Sequence, residues 1–260
     1  MQFNHLLLSV EGCVAQLTIN RPEQLNALNR EILTELTSAL KAIANDAAVR
    51  VVILTGAENK AFVAGADIKE MVDLDPLAAT AFARQGQEIL NLIASMPQPV
   101  IAAVNGYALG GGFEMALACD FIYAAKSARF GFPETTLGIM PGFGGTQKLS
   151  RLVGTNVAKE LIFTGSLIDA ARAAELGVVN HIFAAEELLD MTHKAARKIA
   201  ANGGVGVAMA KEAIGKGLDM SLNEALAYEG NLFGLLFATK DQKEGMLAFI
   251  EKRSAEFINK

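Results

Sequence analysis

The chain has little material for metal or thiol chemistry: two cysteines and three histidines in 260 residues. Cys13 and Cys119 stand alone, outside any C-x-x-C spacing, so no disulfide framework is expected and a reducing, cytoplasmic setting fits best. No two of His5, His181 and His193 have metal-ligand spacing, so no metal site is expected and a histidine-based triad would need better material. No G-x-S-x-G occurs, which removes the usual serine-hydrolase elbow. No run of five or more basic residues occurs and the net charge is −5 at pH 7, so no nucleic-acid partner is expected. That balance still allows a local basic patch for a phosphorylated ligand. No uninterrupted apolar stretch nears the ~20 residues of a membrane span. The N-terminal MQFNHLLLSVEG has neither a cationic region nor a cleavage site, so no signal peptide is expected.

What is present describes a folded globular protein, with 52% hydrophobic and 20% charged residues. A chain of this length buries roughly 75% of its unfolded surface, which leaves room for a deep pocket beside the core. LLLSV (6–10) and VAQLTIN (14–20) read as a strand pair, ended by Arg21-Pro22. Residues 26–46 keep apolar side chains at helical spacing, and 49–56 is a buried strand. Residues 57–69 form a loop opening into a helix; another helix follows over about 76–95, stopped by Pro97 and Pro99. Residues 100–108 read as one buried strand, 110–120 as a glycine turn into a short helix, and 121–125 and 128–134 as strands. After Gly142 the pattern turns helical, with one more strand at 177–183. The expected class is therefore α/β: residues 1–185 as repeated strand-strand-helix units and 186–260 as a helical region, with no low-complexity linker between them.

Three places could carry chemistry. Gly110-Gly111-Gly112 follows a buried strand and opens a helix, so its free N–H groups suit a polarised or anionic oxygen; taken alone, the triplet reads first as tight helix-strand packing. Glu114 lies one turn along, among Phe113, Met115, Ala116, Leu117, Ala118 and Cys119. A helix apolar all round is buried, and a buried carboxylate is costly unless it has a partner or a task. The second place is Phe62–Lys69, a small-residue loop that could supply another N–H at Ala66, with Asp67 an equally good helix cap. The third is Pro133-Glu134 ahead of PGFGGTQ (141–147), where Glu134 is either a catalytic acid or a surface turn acid. That glycine cluster lacks the Lys-Ser/Thr of a phosphate loop and the spacing of a dinucleotide fingerprint.

Together these segments resemble the enoyl-CoA hydratase (crotonase) family. The matching stretches are INRP (19–22) with LNAL (25–28), AFVAGADIKEM (61–71), PVIAAVNGYALGGGFEMALACD (99–120), FGFPE (130–134), GIMPGFGGTQKLSRLVG (138–154) and FATKDQKEGMLAFIEKR (237–253). They cover nearly the whole chain in order. Short-chain enoyl-CoA hydratases and bacterial 3-hydroxybutyryl-CoA dehydratases are the most similar branch. The resemblance implies a spiral of ββα units with a C-terminal helical trimerisation region, and a homotrimer or a homohexamer built as a dimer of trimers. It implies an oxyanion hole from the N–H groups of Ala66 and Gly111, and Glu114 and Glu134 as the catalytic pair. It places Leu25, Ala27, Ala64, Asp67, Ile68 and Lys69 near substrate or its CoA arm, and gives Phe249 and Lys252 a CoA contact, from a neighbouring subunit in some members. No cofactor is implied, since the CoA thioester is the substrate. One departure is Phe132, where many hydratases have Gln before the Pro-Glu pair; it bears on the acyl pocket's shape or the placing of the water, and residues near 71–96 together with Phe132 are expected to shape that pocket.

The chemistry that follows is addition of water to an enoyl thioester, with Glu114 holding and deprotonating the water and Glu134 delivering a proton to C2. Isomerisation of the double bond on the same scaffold is the nearest rival, and both glutamates speak for hydration. A thioester hydrolase, a decarboxylase and a non-catalytic RNA-binding member are weaker readings.

Overall fold

The apolar runs of the first half become two sheets; the first strand pair stays in one sheet, and each later strand pair contributes one strand to each. The computed structural model describes residues 3–259. The strands are β1 (Leu6–Glu11), β2 (Val14–Ile19), β3 (Val51–Gly56), β4 (Ala61–Val63), β5 (Val100–Val104), β6 (Tyr107–Leu109), β7 (Phe121–Ala125), β8 (Arg129–Gly131), β9 (Ile168–Asp169) and β10 (His181–Phe183). The helices are α1 (Arg30–Ala44), α2 (Ile68–Met71), α3 (Pro76–Ser95), α4 (Gly111–Ala118), α5 (Gly145–Val153), α6 (Thr155–Thr164), α7 (Ala170–Glu175), α8 (Leu188–Ala200), α9 (Gly204–Gly217), α10 (Leu222–Leu236) and α11 (Lys240–Glu251). One sheet runs β1-β2-β3-β5-β7-β10 and the other β4-β6-β8-β9. The pairs are parallel except β1 with β2 and β8 with β9. The pairs β3/β4, β5/β6 and β7/β8 thus step between the sheets as an α/β spiral of ββα units.

The central strands are apolar runs because both their faces are covered. Val52 and Leu54 of β3 face the main core with α1, α3 and α4, while Val51 and Ile53 face a second core completed by Leu188, Ala196 and Ala200 of α8. Helix α1 starts later than its apolar spacing suggests, because the Asn29 side chain caps it by accepting from the Ile32 N–H at 2.8 Å.

Three expectations are corrected. The single strand read over 100–108 is two strands in different sheets. Asn105, buried at the break, accepts from the Gly56 N–H and donates to the Gly56 carbonyl, which ties the bend to the end of β3. The loop read over 57–69 contains β4, whose three residues are too few to show a period. The strand read over 177–183 shortens to β10, since the Val178 and Val179 N–H groups turn back to the Ala173 carbonyl. Among the described residues no strand follows Phe183, and no helix is long and apolar enough to cross a membrane. The N-terminal half of the spiral thereby brings the ends of β4 and β6, the start of α4 and the turn after β8 to one cavity.

Candidate active site

Strand β6 ends at Leu109 and the chain enters α4 through Gly110, whose φ of 50° lies in the left-handed region. A Cβ there would sit 2.7 Å from Oε1 of Glu134, so glycine answers both the backbone and the neighbour. Gly112 packs flat on the backbone of Val63, with no room for a side chain. These contacts draw β4, the head of α4 and the turn carrying Glu134 together.

Glu114 is buried in α4, only 1% exposed. Its Oε1 accepts the backbone N–H groups of Phe143 at 2.8 Å and Gly145 at 2.6 Å, on the segment leading into α5. Burial raises its pKa from 4.5 to about 7; the bond from Gly145 opposes that rise, and the charge of Glu134 adds to it. Glu134 stands in a tight helical turn, Pro133–Leu137, which Pro133 opens and Gly138 closes. Burial raises its pKa to about 7 as well, and its Oε2 is a buried oxygen with no protein partner among the described residues. Both carboxyl groups line one cavity of about 430 Å³, whose other walls are mainly apolar. Two carboxyl groups in such a space favour sharing protons near neutrality over ionising together.

The same cavity is lined by Ala66 and Gly111. Gly111 is the first residue of α4, so its N–H has no partner within the helix. The Ala66 N–H also finds no protein acceptor among the described residues. In a trans peptide the C=O and N–H point opposite ways. The Gly65 carbonyl accepts from Leu28 at 2.8 Å, so the Ala66 N–H of that same peptide unit faces away, toward the cavity.

Of the residues singled out from the sequence, the structure gathers Glu114, Glu134, Ala66, Gly111, Ala64 and Ile68 around the cavity. Leu25, Ala27, Asp67 and Lys69 lie beside it, outside the lining. Leu25 gives its carbonyl to the Ala64 N–H. Asp67 caps α2 through the Lys69 N–H and pairs with Arg21 at 2.7 Å. Phe249 and Lys252 sit on α11 and at its end; Phe249 is 85% exposed and neither lines the cavity. Phe132, expected to shape the pocket, instead lies wholly buried behind it. Its ring stacks on Phe113 at 4.8 Å and presses against Gly145. The wall of the cavity toward α3 is made by Ala79, Phe82 and Ala83, inside the stretch 71–96 expected at the acyl pocket, together with Phe143, which the sequence did not mark. The Phe143 backbone also holds Glu114, and the only signal for it was the glycine cluster around it. Among the described residues no cluster of three or more histidine, cysteine or acidic side chains could hold a metal ion.

A two-sheet spiral with a buried and a half-buried glutamate facing one cavity and two free N–H groups defines a class, and the comparisons agree with it. The family model described as enoyl-CoA hydratase/isomerase matches residues 9–260, and the chain belongs to that family. The crotonyl-CoA hydratase of Syntrophomonas wolfei is 48% identical over 260 residues, covering 100% of both chains. The short-chain-enoyl-CoA hydratase of Clostridium acetobutylicum is 48% identical over 256 residues, 98% of each. The solved enoyl-CoA hydratase of Bacillus anthracis aligns at a TM-score of 0.96 and 42% identity, covering 99% of this chain and 100% of that one.

Proposed function

We propose that the chain is an enoyl-CoA hydratase: it adds water reversibly and syn across trans-2-enoyl-CoA, giving 3-hydroxyacyl-CoA, with short acyl chains preferred. The observation that carries this reading is the pairing of the buried Glu114 and the half-buried Glu134 with the free N–H groups of Ala66 and Gly111 in one apolar cavity. Similarity to hydratases named for crotonyl-CoA and short-chain substrates supports it.

Attack of water at C3 pushes charge onto the thioester oxygen. The Ala66 and Gly111 N–H groups stabilise that oxygen; one such donor is worth about 3 kcal/mol of barrier. Glu114, with Oε1 held by two backbone donors, uses its other oxygen to orient the water and take its proton. Glu134 delivers a proton to C2 from the same wall, which gives syn addition, and dehydration runs through the same groups. CoA is the substrate's handle, and the chain's own groups suffice for each proton transfer without a cofactor.

The proposed assembly is a homotrimer, or a homohexamer of two trimers, in the cytoplasm. Its support is that no residue of α9 or α10 is buried within one chain, while Leu218, Leu222 and Phe233 stand exposed on or beside them. Phe249 and Lys252 would then reach the CoA arm of a neighbouring subunit. Purified protein incubated with crotonyl-CoA is expected to bleach the enoyl-thioester absorbance and yield a product heavier by one water. A product of unchanged mass would replace hydration by isomerisation.

A further inference from the structure

The two N–H groups assigned to the oxyanion are supported very unequally. Gly111 heads an eight-residue helix, and its peptide is fixed because the Gly110 carbonyl accepts from the Glu114 N–H at 2.9 Å. Ala66 precedes α2, which has only four residues. A single turn fixes a peptide plane poorly. The Ala66 peptide is held from outside, by the segment 25–28 lying alongside it.

That segment is clamped by Arg21. Nη1 of Arg21 donates to the Ala27 carbonyl at 3.2 Å and to Oδ2 of Asp67 at 2.7 Å. The Ala27 carbonyl belongs to the same peptide unit as the Leu28 N–H. That N–H donates to the Gly65 carbonyl at 2.8 Å, and the Gly65 carbonyl belongs to the same peptide unit as the Ala66 N–H. The Asp67 N–H in turn donates to the Leu28 carbonyl at 2.8 Å, closing the two segments on each other. A line of donors and acceptors therefore runs from a guanidinium, through two peptide units, to the N–H that faces the cavity. Hydrogen bonds in series polarise one another, and a cation at the acceptor end strengthens each donor beyond it. The Arg21 and Asp67 side chains are only 19% and 13% exposed, so water screens the pair weakly. Asp67 itself is held below the usual carboxylate range, chiefly by its bond from Arg21, which keeps its charge opposite the guanidinium.

We infer that Arg21 is a positioning residue for the oxyanion hole, aiming and polarising the Ala66 N–H through the peptide units 27–28 and 65–66, with Asp67 fixing the guanidinium. The inference rests on the hydration reading for its kinetic consequence, and on geometry alone for its effect on a bound carbonyl.

The test uses the full-length enzyme and three variants, Arg21→Met, Arg21→Lys and Asp67→Asn, with two readouts. One is kcat and KM on crotonyl-CoA. The other is the absorption band of bound para-dimethylaminocinnamoyl-CoA, which moves to longer wavelength as its carbonyl is polarised. A donor displaced but still present should cost less than one removed, so Arg21→Met is expected to lower kcat about tenfold or more with KM within about threefold. The band in that variant should retreat toward that of the free thioester. Arg21→Lys, which keeps charge but not the fork geometry, and Asp67→Asn should fall between it and the unsubstituted enzyme. A wild-type band in Arg21→Met overturns the inference, whether or not kcat falls. If Arg21→Met does not fold, Arg21→Lys decides in the same way. Absence of turnover by the unsubstituted enzyme overturns the hydration reading, and Arg21 is then judged on the band alone.

Discussion

Gly145 donates its backbone N–H to Oε1 of Glu114 at 2.6 Å. The Phe143 N–H goes to the same oxygen, so Oε1 is committed to the protein and the proposed handling of water falls to Oε2. Gln in place of Glu114 keeps an oxygen for both donors and the same shape, but cannot take a proton. Glu114→Gln is therefore expected to fold normally and to lose about 10²–10⁴-fold in kcat on crotonyl-CoA, the usual worth of a general base. Near-normal turnover by the purified variant would remove Glu114 from the mechanism.

Glu134 presents the complementary case: its Oε2 is buried with no protein partner among the described residues, and the residue lines the same cavity. Glu134→Gln is expected to cost about 10²–10⁴-fold in kcat. Gly110→Ala should also slow the reaction, because its Cβ would meet Oε1 of Glu134 at 2.7 Å and its φ of 50° disfavours any side chain. A methyl group that left kcat unchanged would mean that the placing of Glu134 is immaterial.

The raised pKa values fix the pH dependence of activity. With Glu114 and Glu134 both near 7, the pair must hold one proton to supply a base and an acid together. Below that range both are protonated and no base remains; above it no acid remains. A plot of kcat/KM against pH is expected to be bell-shaped with its maximum near 7. A flat profile from pH 5 to 9 would contradict the sharing of one proton.

Stability should run the other way from function at Glu114. Its folded pKa of about 7 lies above the unfolded 4.5, so between those values the folded state holds the proton and the unfolded state does not. Stability is greatest below pH 4.5 for this group and declines as pH rises toward 7. The shift from 4.5 to about 7 corresponds to about 3 kcal/mol lost by pH 8. Glu114→Gln removes that titration. The variant is expected to be more stable than the unsubstituted protein in urea at pH 8, by up to about 3 kcal/mol, and to show no such gain at pH 4. An equal difference at both pH values would show that the carboxyl group is not carrying the burial cost.

Much of this was legible in the residues, and the parts that were not share a cause. β3, β5 and β7 stood out because strands covered on both faces are continuous apolar runs, and β2 as the branched-residue half of a hairpin. β4, β6 and β9 did not, since two or three residues show no period, and it is β4 and β6 that bring Ala66 and Gly111 together. Glu114 was marked by its apolar neighbours, whereas Glu134 in its turn had no local sign of burial. Arg21 read only as the end of a strand, because Asp67 lies 46 positions away and nothing local announces the pair. Phe132 was expected at the pocket, but its ring points toward Phe113 in the core. A change of residue type in a motif does not say which way the side chain faces.

The acyl wall offers the most direct test of chain length. Phe143 closes the cavity against α3: its ring packs 5.4 Å from that of Phe82 and rests on Gly86, where any Cβ would overlap it. The backbone of Phe143 holds Glu114, but its side chain does not, so the ring can be trimmed without removing that hydrogen bond. Phe143→Ala should open space toward α3 for further methylenes while costing crotonyl-CoA some of its fit. One methylene in an apolar pocket is worth about 10–200-fold in kcat/KM. The ratio of kcat/KM for trans-2-octenoyl-CoA to that for crotonyl-CoA is expected to rise about tenfold or more. Replacing Ala83 by Leu fills the same wall from the helix side and should move the ratio down. If neither substitution changes the ratio, the acyl chain leaves the thioester by another route than the space between Phe82, Ala83 and Phe143.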